Sequence, residues 1–178
     1  SLEINNWLAS MNLSYNSLGD EGCKALADVL GKNTSLTSID LCSSGIADDG
    51  ARALACALEK NASLLTVNLA DNEIGRDGSK ALAVALEINN CLTSIDLSYN
   101  SRLGDEGVEA VADALEKNCK LTSVNFCKVS ARDMGAMALA RALGKNSSLT
   151  SINWSGNTVG QEGAKKLAEV LKRNTSLT

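Results

Sequence analysis

A 28-residue unit runs six times through the 178-residue chain, and its opening segment changes little between copies: LASMNL (8–13), LTSIDL (36–41), LLTVNL (64–69), LTSIDL (92–97), LTSVNF (121–126) and LTSINW (149–154). A unit this short cannot enclose a core of its own, so successive copies must bury their apolar faces against one another. That requirement restricts the chain to an elongated stack.

Within a unit the residues alternate. Leu36, Ile39 and Leu41 are apolar while Ser38 and Asp40 lie between them, which predicts a short strand with one buried face and with unit positions 3 and 5 turned outward. A polar turn follows, usually with Asn at position 9 (Asn16, Asn72, Asn100, Asn157). In GDEGCKALADVL (19–30), Gly22, Ala25, Leu26, Val29 and Leu30 recur at three- and four-residue intervals, predicting an amphipathic helix. Acids such as Asp20, Glu21, Asp48 and Asp49 gather at the helix starts and bases such as Lys32, Lys60 and Lys145 near the ends, matching the helix dipole. Each unit closes on Asn (Asn33, Asn61, Asn89, Asn118, Asn146, Asn174). Asn tolerates the left-handed conformation that commonly ends a helix, so that conformation is expected in every copy. A Gly in each helix start (Gly22, Gly50, Gly78, Gly107, Gly135, Gly163) is expected to let helix and strand layers approach closely.

Because each strand reaches the next through a helix, the strands run parallel by right-handed crossovers in one sheet. Parallel strands sit about 4.8 Å apart and packed helices about 8–10 Å, so the stack bends with the sheet inside. The expected domain is a single one over 1–178, with repeats at 8–35, 36–63, 64–91, 92–120, 121–148 and 149–176.

The consensus LTSIDLSYNSLGDEGCKALADVLGKNTS resembles the ribonuclease-inhibitor type of leucine-rich repeat, the long class found also in NOD-like receptors and in the Ran GTPase-activating protein. The resemblance implies an α/β right-handed solenoid, a horseshoe with a concave parallel sheet and convex helices. It also implies a protein-binding module that grips partners with its concave face and ascending loops; a cytoplasmic location is expected separately, because six cysteines without a CxxC pair favour a reducing compartment. GTPase activation and innate-immune sensing are alternatives that the same resemblance offers, and a structural subunit or spacer within a larger complex is another reading.

Composition fits a folded chain, with 44% apolar residues and only 3% aromatic ones. The net charge of −4 is scattered, and the absence of a basic patch argues against nucleic acid. No apolar run approaches the roughly 18 residues of a membrane span, and no signal peptide is visible. The chain opens on SLEINNW, which matches the helix end LEINNC (86–91), and stops at Leu177-Thr178 at the start of another unit, so a fragment of a longer array is expected.

Several features invite a chemical reading. Six cysteines (Cys23, Cys42, Cys56, Cys91, Cys119, Cys127) form no CxxC pair, and the chain has no histidine, so reduced structural thiols and no metal are expected. Cys42 and Cys127 share a position but stand three units apart, roughly 14 Å and beyond disulfide reach. Asp40 and Asp96 lie on the outward row at position 5, between Asn residues that keep like charges off adjacent strands. An open polar face gives neither the burial nor the partner that an acid catalyst needs. The sequons at Asn12, Asn33, Asn61, Asn146 and Asn174 mostly coincide with the helix-ending Asn, so the repeat generates them. Without histidine or a phosphate-binding glycine loop, neither catalysis nor a cofactor is expected.

The units also break their own rule. Unit 4 carries an extra residue near Arg102, and in unit 5 Phe126 replaces Leu, Val129 stands where Asn is usual, and Ala131-Arg132 replaces the Leu/Ile-Gly pair. Trp154 in unit 6 falls in the same layer as Phe126, as if larger rings refill a core thinned at Ala131. Outward positions are otherwise small, with a hydroxyl row at position 3 and Tyr15, Ser43, Asp71, Tyr99 and Lys128 at position 8. Tyr and Arg dominate binding energy at protein interfaces. The expected partner-binding residues are therefore Tyr15, Asp40, Asp71, Asp96, Tyr99, Arg102, Lys128 and Arg132, contacting a protein partner.

Overall fold

A computed structural model describes residues 5–178; the Leu2-Glu3-Ile4 copy of the helix end lies outside them. Six strands, β1 Ser10–Asn12, β2 Ser38–Asp40, β3 Thr66–Asn68, β4 Ser94–Asp96, β5 Ser123–Asn125 and β6 Ser151–Asn153, alternate with six helices, α1 Gly19–Leu30, α2 Asp48–Leu58, α3 Arg76–Ile88, α4 Gly104–Leu115, α5 Asp133–Leu143 and α6 Gln161–Leu171. The strands form one parallel sheet in sequence order and in register, Ser10 opposite Ser38, and Ser94 opposite Ser123 across the longer unit. The α/β solenoid of the sequence reading is the observed fold.

The alternation in each strand decides which side is buried. Leu36, Leu41, Leu64, Leu69, Leu92 and Leu97 are fully enclosed, and Ile39, Val67, Ile95 and Val124 nearly so. The helices close the same core with Leu54, Leu58, Leu82, Leu86, Leu115 and Leu139. In the end units the equivalent Leu8, Met11, Leu13, Ile152 and Trp154 are only partly covered, as a stack of layers requires. Phe126 is enclosed and meets Trp154 edge-on, with ring centroids 6.0 Å apart, so the aromatic layer expected for units 5 and 6 is present.

The helix-ending Asn residues do not take the left-handed conformation. None has a positive φ, and Asn89 sits at φ −67 and ψ 122. Their side chains do the work instead, across the repeat boundary. Asn61 Nδ2 donates to the carbonyls of Leu30 (2.7 Å) and Asn33 (3.1 Å) in the preceding unit, while its Oδ1 accepts the N–H groups of Ser63 and Leu64. Asn89, Asn118, Asn146 and Asn174 repeat the bond to a leucine carbonyl in the last helical turn of the unit before. A helix leaves its final carbonyls unpaired, and here the next unit supplies the donor. Sequons at Asn61 and Asn146 are therefore buried amides already in use.

Helix starts are closed from the other side. Asp20 Oδ1 accepts the N–H groups of Ala47 and Gly50 at the start of α2, and Asp48, Asp105 and Asp133 do the same for α3, α5 and α6. Each of these carboxylates caps the following helix. The Gly in that turn makes room for it: a Cβ at Gly50 would lie 2.7 Å from Asp20 Oδ1 and 2.9 Å from Ile46 Cγ2. The close approach is thus mainly to the neighbouring unit's carboxylate and core, a correction to the helix-to-strand reading. The bases expected in the last helical turns fall just beyond it; Lys60, for example, follows the helix end at Leu58 by two residues.

Asn at position 9 forms a second ladder under the loops. Asn72 Nδ2 donates to Leu41 O and Leu69 O, and its Oδ1 accepts the N–H groups of Ser44 and Ile46 in the preceding unit. Asn100 is fully buried and binds Leu69 O, Leu97 O and the Ile74 N–H at 2.9–3.0 Å. Asn100→Ala is expected to cost about 2–4 kcal/mol, because several buried backbone groups lose their partner at about 1–3 kcal/mol each. Asn16→Ala, at the exposed end of the same row, should cost under about 1 kcal/mol by the same reasoning; urea denaturation of the two variants checks the difference. Asp48→Ala should likewise cost about 1–2 kcal/mol as a lost cap. Its neighbour Asp49, whose partner is a surface Arg52, should cost under about 0.5 kcal/mol in the same assay.

Candidate interaction surface

Position 8, the residue two beyond each buried position-6 side chain, is left-handed in every unit: Tyr15 (φ 58), Ser43 (50), Asp71 (54), Tyr99 (59), Lys128 (53) and Gly156 (73). The turn is fixed by the backbone. The N–H of Tyr15 donates to Cys42 O, that of Asp71 to Ser98 O and that of Tyr99 to Cys127 O, at 2.8 Å in each case, so the sheet ladder continues into the loops. Only Gly156 takes this conformation without steric strain; a side chain there raises the energy by roughly 1–2 kcal/mol.

Just before the turn, the position-5 row explains its own composition. Asp40 Oδ1 accepts the Cys42 N–H at 2.9 Å, Asp96 Oδ1 accepts the Ser98 N–H and hydroxyl, and Asn12, Asn68, Asn125 and Asn153 make the same bond two residues on. These are Asx turns, which only Asp or Asn can form, so each position needs one or the other. Asp96 is held at both oxygens, since Oδ2 accepts the Asn125 amide at 2.8 Å.

The expected partner-binding residues fall into three places. Tyr15, Asp71, Tyr99 and Lys128 share the left-handed row, with Asp40 and Asp96 beside them at the strand ends. Along the row Ser43 donates to Asp71, and Lys128 Nζ stands 4.9 Å from the Tyr99 ring centroid, a cation–π pair. Tyr15 is 80% exposed and Tyr99 48%. Arg102 lies further along its loop, in an ion pair with Glu73 of the preceding unit at 2.9 Å. Arg132 opens α5, where its backbone N–H is taken by Asp105 and its side chain is exposed. Tyr15 and Arg132 are four units apart, roughly 19 Å at about 4.8 Å per strand, so one small ligand cannot span them.

Several exposed apolar side chains escaped the sequence reading, Val84 and Ile88 on α3 among them. Leu65 is 41% exposed at position 2, where the hydroxyls of Thr37, Thr93, Thr122 and Thr150 instead donate to the carbonyl of the position-2 residue in the preceding unit. Its signal was the doubled leucine of LLTVNL. On the convex side Met134 and Met137 are exposed where other units carry charge, a break in charge pattern that the strand-based reading passed over.

Burial, and then the neighbouring Asp20, push the Cys23 thiol up to about 11, leaving it protonated at neutral pH. Among the described residues no helix is long and apolar enough to cross a membrane. If the position-8 side chains are held against their conformational preference, Tyr15→Gly should leave stability unchanged or raise it by up to about 1 kcal/mol, relief of strain being partly offset by the entropy of Gly. Tyr15→Val, β-branched in the same conformation, should lower stability by about 1–2 kcal/mol. Thermal melts of the three proteins decide it.

The sequence model of the family described as Leucine Rich repeat matches residues 5–27, 32–55, 60–83, 89–112 and 145–168. No match is placed between 112 and 145, where unit 5 departs most from the others. A comparison with curated proteins finds no match. Among solved structures, the tropomodulin C-terminal domain of Caenorhabditis elegans aligns over 97% of this chain and 87% of its own, at 18% identity and a TM-score of 0.61. A leiomodin-1 structure titled actin-binding site 2 aligns over 97% and 84%, also at 18% identity, with a TM-score of 0.55. At this identity the likeness is one of fold.

Proposed function

The chain belongs to the leucine-rich repeat family, and on that footing we propose that it is a non-enzymatic protein-interaction module, holding a protein partner along the concave sheet and the loops above it. The observation that carries this reading is the pair of exposed tyrosines in left-handed backbone, Tyr15 and Tyr99. The fold alone would do better with glycine, as unit 6 does at Gly156. The Tyr15 ring is mostly exposed and the Tyr99 ring half exposed, with Lys128 as its one ring contact, and tyrosine is among the residues that contribute most at interfaces. Lys128, packed over Tyr99, adds a positive rim to the same edge, and Asp40, Asp71 and Asp96 set a polar, acidic floor beside it.

A partner laid along this edge would meet Tyr15 at one end and the Tyr99–Lys128 pair at the other. That arrangement favours an extended or broad protein surface over a small molecule. Actin, named in the leiomodin-1 title, is one partner to assay, by co-sedimentation with filaments.

The test is affinity capture from a cell lysate with the wild-type chain and with the Tyr15→Gly/Tyr99→Gly variant, which keeps the turn conformation and so separates lost contact from lost folding. Recovery of the bound protein should fall by about tenfold or more, the loss of roughly 1.4 kcal/mol or greater that one or two interface anchors supply. Undiminished recovery at an unchanged melting temperature would refute binding through this edge.

A further inference from the structure

On the helical side, the first turn carries charged residues at two outer positions in every unit but the fifth, and in three units they form an ion pair. An acid directly before the invariant Gly pairs with a base three residues on, as Glu21–Lys24 (2.7 Å), Asp49–Arg52 and Glu162–Lys165 (2.8 Å). In unit 5 both members are replaced by methionine, Met134 and Met137, which are 67% and 44% exposed. Together with Ala138 and Val170 they line a groove of about 420 Å³ over α5, edged by Glu109, Lys166 and Arg141, the last paired with Asp113 and Glu116. The core does not need them, because α5 already turns Leu139 and Leu143 inward.

The charges beside the groove are unequal. The helix α4 on one flank holds Asp105, Glu106, Glu109 and Asp113 and no base between Gly104 and Leu115. Asp105 caps α5, Glu106 pairs with Arg76 at 2.6 Å and Asp113 pairs with Arg141. Glu109 is exposed and has no ion pair among the described residues. On the other flank both lysines are neutralised, Lys165 by Glu162 and Lys166 by Glu169. An occupant is therefore asked for apolar side chains over the methionines and for positive charge on the α4 side only.

We propose that the convex face of α5 is a docking groove for a basic amphipathic helix of a partner protein, with its apolar stripe on Met134 and Met137 and a lysine or arginine at Glu109. A helix offers apolar side chains at three- and four-residue spacing, which matches the spacing of Met134 and Met137. Methionine is unbranched and polarizable, so it moulds to Leu, Ile or Phe alike. The patch is small, and the contact it supports is accordingly weak and salt-sensitive. This site lies on the opposite side of the solenoid from the tyrosine row, and the two stand or fall separately.

The test uses two synthetic helices of identical leucine stripe, one with lysine and one with glutamate on the polar face, titrated into the chain by fluorescence anisotropy. The variant Met134→Glu/Met137→Lys installs the ion pair of units 1, 2 and 6 and is expected to melt as the wild type does. The lysine helix should bind the wild type, lose about tenfold in affinity with that variant, and lose about threefold with Glu109→Gln. The glutamate helix should bind at least about tenfold more weakly than the lysine helix. Undetectable binding of the lysine helix, equal binding of both helices, or undiminished binding to Met134→Glu/Met137→Lys would overturn the proposal. So would a concentration-dependent dimer in sedimentation that this variant abolishes, since a second copy of the chain would then be the occupant.

Discussion

An α-helix starts with N–H groups and ends with carbonyls that it cannot pair within itself, and in a helix of 11–13 residues these make up much of the backbone. Here neighbouring units supply the partners at both ends. A carboxylate from the unit before accepts the first N–H groups, and an asparagine amide from the unit after donates to the last carbonyl. Position-9 asparagine does the same for the loops between strand and helix. The helix ends and loops of a unit are thus fully hydrogen-bonded only within the stack, and cohesion between units rests on polar bonds as well as on the leucine layers.

This dependence explains why irregularities come in groups. Where a capping Asp is expected in unit 3 there is Arg76, and where Asn is expected in unit 5 there is Val129, so unit 4 between them lacks both contacts. Its loop is the one with the inserted residue. There the Leu103 N–H turns back to its own Asn100 O, Gly104 takes φ 59, and its N–H reaches Val129 O. Arg76 meets Glu106 in place of the cap, and Arg102 meets Glu73. Unit 1 repeats the solution, with Gly19 at φ 59 donating to Ser44 O, where Ser44 likewise replaces Asn. The insertion at Arg102 is one part of a local rearrangement spread over three units.

Period-2 and period-3.6 patterns depend on residues close in sequence, and for that reason strands, helices, their order and the enclosed leucines could be read directly from the chain. The role of the helix-ending asparagine could not. Its bond to a carbonyl 31 residues earlier has no local signature, and the local rule for Asn at a helix end, a left-handed turn, pointed to the wrong geometry. The same blindness hid the Asx turns behind the Asp40 and Asp96 row. Left-handed backbone was in fact present, one row away, at residues such as Tyr15 and Tyr99 whose side chains give no hint of it.

In a chain built of copies, a change that damages an inter-unit bond must be matched by a change in the unit it touches, and a change without such a match answers to something outside the fold. Val129 and Arg102 have their counterparts in Arg76, Glu73 and Gly104, so their departure from the pattern belongs to the stack. Tyr15 has none: its backbone bond would be made by any residue, its ring lies in solvent, and glycine serves at the same place in unit 6. Met134 and Met137 have none either, since their loss of charge leaves no unpaired ion beside them except Glu109, which faces the groove they form. Strained or exposed apolar side chains without a counterpart in the neighbouring units are the positions on which the two proposed contacts rest.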